Sequence, residues 1–319
     1  MIRPMKKEAL RIVFMGTPDF AVASLKALVE NNYNIVGVIT APDRPAGRGY
    51  KLQQSAVKTY ALSQNLNILQ PEKLKNELFL ENLRQLKADI QVVVAFRMLP
   101  EVVWDMPPKG TFNLHASLLP QYRGAAPINW AVINGEPETG VTTFFLKHEI
   151  DTGEIIFQSK IDIASDDHAG IVHDKLMHLG ADLVVKTIDA VIDGTVSPRP
   201  QNQFIQSGEV LKPAPKIFKE TCKIDWTKPV AEIHNLVRGL SPYPAAWTDL
   251  KVNDAIINFK IFKTKFSVEH HSHLPGTVIS DNKTMLQIAA QDGFVEVLEL
   301  QMSGKRRMEI QEFLNGFSF

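Results

Sequence analysis

Two polar side chains at the end of a predicted strand have the groups that acyl transfer requires. Asn113 and His115 close the strand-like run that starts at Thr111. Residues i and i+2 of a strand face the same side, so the amide of Asn113 and the imidazole of His115 converge on one place. An amide N–H stabilises the negative charge that develops on a carbonyl oxygen, and an imidazole transfers a proton or donates a second hydrogen bond. The alternative is a hydrogen-bonded pair with only a structural role.

An apolar turn and a carboxylate follow this pair along the chain. The turn consists of Ser117, Leu118, Leu119 and Pro120. It connects the strand to the next predicted helix, and its apolar side chains suit it to line a ring-shaped ligand. Asp151 begins a tight turn that ends at Gly153, between two strand-like runs. An aspartate at this place orients the His115 ring and favours its protonated form, or else serves only the turn.

A long basic loop follows the second predicted strand. The segment 40–51, TAPDRPAGRGYK, contains Arg44, Arg48 and Lys51 against one acidic residue, Asp43, and therefore has a local charge of +2. Long loops on α/β scaffolds often bind ligands, and the positive charge favours an anionic one. The alternative is a solvated surface loop.

The composition and several short motifs exclude other classes of protein. The 319 residues contain 35 Lys plus Arg and 35 Asp plus Glu, so a nucleic-acid partner must bind local patches. The only cysteine, Cys222, rules out an internal disulfide and a cysteine-based metal site, and we interpret His270, His271 and His273 as a loop tip, with no metal expected. The first strand-to-helix turn, GTPD at 16–19, lacks the glycine pattern of NAD enzymes. No apolar run approaches the roughly 18 residues of a membrane span, so we expect a cytoplasmic protein.

Alternating strand-like and helix-like segments position the candidate residues. This alternation predicts a doubly wound, Rossmann-like and mostly parallel sheet. Open sheets of this kind bind ligands at the carboxyl ends of their strands, where Asn113 and His115 lie. The sequence predicts strands over 11–15, 35–39, 67–69, 90–96, 111–115, 141–147 and 154–162, and helices over 19–32, 55–64, 74–86, 125–134 and 166–192.

A proline-rich stretch divides the chain into two parts. Four prolines, among Gln, Ser and Gly, break the periodicity: Pro198, Pro200, Pro213 and Pro215. We therefore expect a linker at 196–216, after a catalytic domain at 1–195. In residues 217–319, short β-rich runs at close spacing predict a small β-barrel, with one helix over 230–240 and another from Met308. The predicted fold class is α/β, with a doubly wound domain followed by this barrel.

Several segments taken together resemble the folate-dependent formyltransferases. The shared pattern is Asn-x-His, then SLLPxYRG, then the Asp-Thr-Gly turn, in this order. Over nearly the whole chain the sequence is similar to the methionyl-tRNA formyltransferase family within that group. The matching stretches are FMGTPDFA (14–21), TAPDRPAGRG (40–49), FNLHASLLPQYRGAAPINWAVINGEPETGVT (112–142), DTGEII (151–156), IDW (224–226), SPYPAAW (241–247), LPGTV (274–278) and Gln301 with Gly304-Lys305. The matches in the second part matter because glycinamide ribonucleotide formyltransferases lack that domain.

The resemblance implies a catalytic set of Asn113, His115 and Asp151. The formyl group of 10-formyltetrahydrofolate would pass to the α-amino group of methionine on initiator tRNA, without a metal. Asn113 and His115 would hold the developing oxyanion, and Asp151 would set the charge of His115. The turn from Ser117 to Pro120 would help to enclose the folate.

The resemblance also implies a tRNA partner. Arg48, with Arg44 beside it, corresponds to the family's insertion at the acceptor stem of tRNA. Lys305 and Arg306 would contact the tRNA backbone from a C-terminal domain of the oligonucleotide-binding (OB-like) type. We expect the protein to act as a monomer.

One segment departs from the family pattern. The chain reads Ala95-Phe96-Arg97-Met98 where many members have Ala-Tyr-Gly followed by an apolar loop. Arg97 stands where a small residue is common, so the resemblance does not determine the details of the pterin pocket.

Three alternative functions compete with this interpretation. A folate-dependent sugar-nucleotide formyltransferase shares the catalytic set but has no need of the basic loop at 40–51. A formyltetrahydrofolate hydrolase, which uses water as the acceptor, has no evident use for the second domain. A non-enzymatic tRNA-binding protein has no reason to combine Asn113, His115 and Asp151.

Overall fold

The structure is a computed structural model that describes residues 6–46, 51–252 and 255–319. Arg48 of the basic loop lies outside the described residues. The chain divides into two units, of which the first comprises the described residues within Met1–Gly124, Gly140–Ile161 and His173–Pro213, and the second those within Ala125–Thr139, Asp162–Val172 and Ala214–Phe319. Within the described ranges, no helix has the length and apolar character needed to cross a membrane.

A seven-stranded sheet forms the centre of the first unit. The strands up to residue 162 are β1 (Arg11–Gly16), β2 (Asn34–Ile39), β3 (Arg44–Ala46), β4 (Lys51–Gln53), β5 (Ile68–Leu69), β6 (Ile90–Val94), β7 (Thr111–His115), β8 (Glu138–Phe145) and β9 (Ile155–Asp162). The order in the sheet is β5-β2-β1-β6-β7-β8-β9, while β3 and β4 form a separate antiparallel pair. The five strands from β5 to β7 in this order are parallel, and β8 is antiparallel to β7. The strands β1, β6 and β7 therefore end at the same edge.

Apolar runs and capping residues account for these elements. Ile12 to Met15 in β1 are completely buried, as expected for a parallel strand covered on both faces. The helices up to residue 193 are α1 (Asp19–Glu30), α2 (Ala56–Ser63), α3 (Glu77–Gln85), α4 (Glu101–Trp104), α5 (Pro127–Ile133) and α6 (Ala169–Asp193). The sequence predicts a start at residue 74 for α3, but the helix begins at Glu77 because the Asn76 side chain accepts a hydrogen bond from the Phe79 N–H and caps it.

An antiparallel sheet forms the second unit together with α5 and two further helices. Its elements are α7 (Val230–Leu240), β10 (Ala246–Val252), β11 (Ala255–Val268), β12 (Val278–Ser280), β13 (Leu286–Ala289), β14 (Gly293–Met302), β15 (Met308–Glu309) and α8 (Ile310–Leu314). The order is β10-β11-β14-β13-β12, with β15 on β14. The last helix begins at Ile310, and not at Met308 as expected, because Met308 and Glu309 pair with β14. The predicted fold class, a mostly parallel α/β sheet followed by a small β domain, is confirmed.

His234 makes the stability of the second unit depend on pH. Its Nδ1 lies 2.9 Å from the Thr264 Oγ1, and its ring packs on Phe266. Burial, with the nearby positive charge of Arg238, lowers the pKa of His234 below its usual 6.5. Between the folded pKa and 6.5 the unfolded chain therefore binds a proton that the folded chain does not bind, and the free energy of unfolding falls as the pH falls through this range.

We expect the melting temperature of the wild-type protein to fall more steeply between about pH 7.5 and 5 than that of His234→Gln. Thermal unfolding followed by circular dichroism measures both slopes. The variant His270→Gln, which changes an exposed loop residue, serves as the control and keeps the wild-type slope. Equal slopes for wild type and His234→Gln would contradict this assignment.

Candidate active site

The carboxyl end of β7 presents Asn113 and His115 on the same side of the sheet. In the sheet, Asn113 is flanked by Val93 of β6 and Phe144 of β8. His115 is buried, with 7% of its surface exposed, whereas Asn113 is partly buried. Among the described residues, the Asn113 side chain has no hydrogen-bond partner. Its amide is therefore available to a ligand at the edge where β1, β6 and β7 end.

Backbone contacts fix which nitrogen of His115 is available for chemistry. The Nε2 atom lies 2.9 Å from the carbonyl oxygen of Tyr122. A carbonyl oxygen only accepts, so Nε2 carries the hydrogen of this bond and Nδ1 is the remaining ring nitrogen. The His115 Nδ1 lies 3.9 Å from the Asp151 Oδ2. This separation is too long for a hydrogen bond but close enough for strong electrostatic interaction once the ring is charged.

A strained turn holds the Asp151 carboxylate at this distance. Asp151 has φ of +55°, a left-handed conformation that aspartate and asparagine tolerate better than most residues. Its Oδ2 accepts a hydrogen bond of 3.0 Å from the Gly124 N–H. Gly153 is required in the turn because a Cβ atom there would lie 1.6 Å from the carbonyl oxygen of Phe145. The structure thus explains both ends of the Asp-Thr-Gly motif and brings Asp151 to His115.

Gln201 contacts the same turn, and the sequence analysis does not predict it as a site residue. Its side chain is buried, and its Nε2 donates to the carbonyl oxygens of Asp151 and Gly153, each at 2.8 Å. Its Oε1 accepts from the Nε and Nη2 of Arg123, at 3.0 and 2.6 Å. No local pattern marks this residue, because it lies in the proline-rich stretch that the sequence predicts to be a linker.

The turn that follows β7 is braced from inside the sheet. The Ser117 hydroxyl donates to the carbonyl oxygen of Gln121 at 2.6 Å. The Thr142 hydroxyl donates to the carbonyl oxygen of Ser117 at 2.6 Å and accepts from the Leu119 N–H at 3.1 Å. Gln158 donates to both the Thr142 hydroxyl and the Leu119 carbonyl oxygen. Leu119 and Pro120 are buried and Leu118 is partly buried. The turn is therefore apolar, and these hydrogen bonds hold its main chain in one position.

We expect Thr142→Val to lower the free energy of unfolding by about 2–4 kcal/mol. Valine has nearly the same shape as threonine, but it leaves the Ser117 carbonyl and the Leu119 N–H without their partner at a completely buried position. Urea unfolding measures the loss. In the control Thr59→Val, which alters an exposed hydroxyl in α2, the change stays within about 0.5 kcal/mol. Equal stability of the two variants would show that the Thr142 hydroxyl does not hold the turn.

Arg97 fills a structural role at the same edge of the sheet. Its guanidinium donates to the carbonyl oxygen of Glu72 at 2.8 Å and to that of Pro71. The unusual arginine therefore ties the loop after β6 to the chain after β5.

The basic residues expected to contact tRNA lie apart from Asn113, His115 and Asp151 in the sequence. Arg44 is exposed and begins β3, beside Asp43, which forms an ion pair of 2.6 Å with Lys58. Lys305 and Arg306 are exposed residues of the turn after β14, and Arg306 forms an ion pair with Glu312. This pairing lowers the net charge that Arg306 offers to a phosphate.

The described part of the chain contains no group of three or more His, Cys, Asp or Glu side chains arranged to hold a metal ion. Within the histidine-rich loop, the Nε2 of His271 donates to the carbonyl oxygen of Gly293 at 3.0 Å. The ring of His271 also packs on Phe294. Cys222 is a buried free cysteine.

Comparisons with known proteins identify the family. The model of the formyl transferase family matches residues 10–188, and that of the formyl transferase C-terminal domain matches residues 216–318. A methionyl-tRNA formyltransferase of Bacteroides fragilis is 62% identical over 316 residues, which cover 98% of this chain and 97% of the relative. The chain belongs to the methionyl-tRNA formyltransferase family. Members from Bacteroides thetaiotaomicron and Flavobacterium johnsoniae are 61% and 54% identical, each over 98% of this chain and 97% and 98% of their own lengths.

Solved structures share the fold of this formyltransferase. An N-formyltransferase from Helicobacter canadensis, in complex with folinic acid and dTDP-3-aminofucose, aligns with a TM-score of 0.67 and 24% identity, over 92% of this chain and 99% of that one. HypX from Aquifex aeolicus, in complex with tetrahydrofolic acid, aligns with a TM-score of 0.63 and 18% identity, over 96% of this chain and 48% of that one. At these identities the likeness concerns the fold alone.

Proposed function

We propose that this chain transfers the formyl group of 10-formyltetrahydrofolate to the α-amino group of methionine on initiator tRNA. The observation that carries the proposal is the arrangement of the Asn113 amide, the His115 Nδ1 and the Asp151 carboxylate at the carboxyl edge of the sheet. The relatives at 52–62% identity are methionyl-tRNA formyltransferases, which supports the same acceptor here.

The reaction is an exchange of one C–N bond for another. The folate supplies an activated formyl carbon, and the amine of methionine attacks that carbon. The new C–N bond forms first, which places negative charge on the formyl oxygen, and the bond to N10 of the folate then breaks, while the amine loses one proton and N10 gains one. The residues of the chain therefore have two tasks, which are to stabilise negative charge on the formyl oxygen and to manage the proton.

The three side chains divide these tasks. The Asn113 amide donates to the formyl oxygen, and a protonated Nδ1 of His115 supplies the second donor, because Nε2 is committed to the Tyr122 carbonyl. The negative charge of Asp151 compensates the imidazolium and helps to collect the amine proton. No residue forms a covalent bond with substrate, and the mechanism uses no metal.

The turn from Ser117 to Pro120 supports the folate assignment. The Thr142 hydrogen bonds hold this apolar turn in place directly after β7, and the Asn113 amide has no hydrogen-bond partner among the described residues, a combination that fits a flat ring carrying a carbonyl group. The Ser117 hydroxyl is committed to the Gln121 carbonyl, so this turn contributes its apolar surface and backbone.

We assign catalysis to residues 1–195 and contacts with the tRNA backbone to two basic regions. The first is the loop with Arg44 and Arg48, and the second is in the domain 217–319, with Lys305 and Arg306. Lysines over aromatic rings support the second region: Lys219 and Lys223 lie over Trp247, and Lys216, the last residue of the expected linker, lies over Phe218. Phe218 is exposed and Trp247 is partly buried, and basic residues interleaved with accessible aromatic rings suit a nucleic-acid backbone and its bases.

Replacing both Lys219 and Lys223 by alanine should weaken tRNA binding and lower the dependence of log Kd on log salt by about 2. Binding measured by fluorescence anisotropy at several salt concentrations gives that slope. The control is Lys26→Ala, an exposed lysine on α1 that pairs with Glu30, and it leaves the slope unchanged. An unchanged slope in the double variant would remove these lysines from the interface.

The test of the proposed function is a transfer assay with radiolabelled formyl. 10-Formyltetrahydrofolate is incubated with the protein and with methionyl initiator tRNA, methionyl elongator tRNA, free methionine or an amino sugar nucleotide. We expect efficient labelling of the initiator tRNA alone. Release of formate without a labelled acceptor would indicate a hydrolase, and labelling of an amino sugar nucleotide alone would indicate a sugar formyltransferase.

A further inference from the structure

Gln201 uses its full hydrogen-bonding capacity on the candidate active site. Its two amide hydrogens go to the carbonyl oxygens of Asp151 and Gly153, and the two lone pairs of Oε1 accept from Arg123. An arginine only donates and a carbonyl only accepts, so the orientation of the amide is unambiguous. A buried side chain with four matched partners has one position, and it fixes the groups that it contacts.

These contacts connect the segments around Arg123 and Gln201 to the Asp151 turn. Gln201 binds the main chain of the Asp151 turn on one side and Arg123 on the other. The next residue after Arg123 is Gly124, whose N–H binds the Asp151 Oδ2 at 3.0 Å. The main chain and the carboxylate of Asp151 are thus held from the same two segments. Such bracing is significant because Asp151 has φ of +55°, a left-handed conformation that is less favourable than the extended and helical ones even for aspartate, and these contacts help to maintain it.

The segment that carries Gln201 has independent anchors. Arg199 exchanges two backbone hydrogen bonds of 2.9 Å with Ile155, and its guanidinium lies 4.4 Å from the centre of the Phe204 ring. The segment therefore stays in place when the Gln201 side chain changes. A substitution at Gln201 then acts on the Asp151 turn and not on the course of the chain.

We infer that Gln201 is a positioning residue for formyl transfer, which keeps the Asp151 carboxylate facing the Nδ1 of His115. The inference rests on the proposed role of Asp151. The stretch 196–216 then contributes to the active site in addition to joining two parts of the chain.

Two variants distinguish the role of the Gln201 Nε2 donor from that of its Oε1 acceptor. Gln201→Glu keeps an acceptor for Arg123 but places an oxygen against the carbonyls of Asp151 and Gly153. Gln201→Met removes both sets of hydrogen bonds at similar size. We expect either change to lower kcat on the order of 10²-fold, because a displacement of about 1 Å in a catalytic group has that effect. The KM values for folate and tRNA stay close to wild type.

The matched control is Gln203→Glu, which introduces the same charge at an exposed position in the same short 3₁₀ turn, Gln201–Phe204. It keeps wild-type kcat. Circular dichroism and thermal unfolding establish that each variant is folded, and Gln201→Glu, with its ion pair to Arg123, is the variant used if Gln201→Met does not fold. Wild-type kcat in folded Gln201→Glu, or an equal loss in Gln203→Glu, would overturn the inference.

A double-mutant cycle shows whether Gln201 acts through Asp151. In an Asp151→Asn background, Gln201→Glu should lower kcat much less than it does in the wild-type chain, because the carboxylate that it positions is already gone. A full additional loss would overturn the inference and leave Gln201 with a general structural role. If Asp151→Asn alone keeps wild-type kcat, the proposed catalytic set fails, whereas an inactive Asp151→Asn with an active Gln201→Glu rejects only the role of Gln201.

Discussion

Asp151→Asn lowers kcat for formyl transfer by roughly 10³-fold and leaves tRNA binding nearly unchanged. Asparagine has the same shape as aspartate and accepts the left-handed backbone at this position, where φ is +55°. Its carbonyl oxygen still accepts the hydrogen bond from the Gly124 N–H. The substitution therefore removes the negative charge that lies 3.9 Å from the His115 Nδ1, and little else.

The measurement is steady-state formyl transfer at saturating folate and tRNA, together with tRNA binding by filter retention. A matched control is available in α6, where the exposed Asp174 lies 2.9 Å from the Nδ1 of His173. Asp174→Asn removes the same charge from a histidine-aspartate pair at the surface and keeps wild-type kcat. A normal rate for Asp151→Asn, or a loss of tRNA binding that matches the loss of rate, would exclude Asp151 from the chemistry.

The sequence predicts the strands of the central sheet better than the turns and loops around them, for physical reasons. Parallel strands buried on both faces are continuous apolar runs, so β1 and β6 are recognisable without other information. The alternation of side chains along β7 likewise places Asn113 and His115 on one face. Strand β11 continues beyond the apolar run 256–262 to Val268, because its pairing with β14 continues through a segment of mixed polar and apolar residues. Such pairing leaves no periodic signal in the sequence.

The candidate active site depends on groups that residue types do not reveal. The partner of the His115 Nε2 is the Tyr122 carbonyl, and a partner of the Asp151 carboxylate is the Gly124 N–H. Every residue has a carbonyl, so no pattern of side chains distinguishes these two positions. Gln201 is not recognisable in the sequence for a different reason. A single polar residue in a proline-rich stretch looks like an ordinary solvent-exposed residue of a linker. The residue types leave two roles open for Asp151, a partner of His115 or a turn residue, and the family resemblance favours the first.

Asn113→Ala should lower kcat by on the order of 10²–10³-fold, the range observed when one donor to a developing oxyanion is removed. The Asn113 amide has no hydrogen-bond partner among the described residues, so its removal leaves no protein group unsatisfied. The melting temperature therefore stays close to wild type. This combination of a large loss of rate and a small change in stability is the signature of a side chain kept for the substrate.

Steady-state kinetics with both substrates and thermal unfolding measure this combination. Asn113→Asp extends the test, because a carboxylate has the same shape but repels negative charge on the formyl oxygen, and its kcat falls at least as far as that of the alanine variant. The control is Asn202→Ala, at an exposed position of the first unit, which keeps both rate and stability. If Asn113→Ala instead loses stability and keeps kcat, the amide is part of the scaffold, and the negative charge on the formyl oxygen must be stabilised by His115 with backbone N–H groups alone.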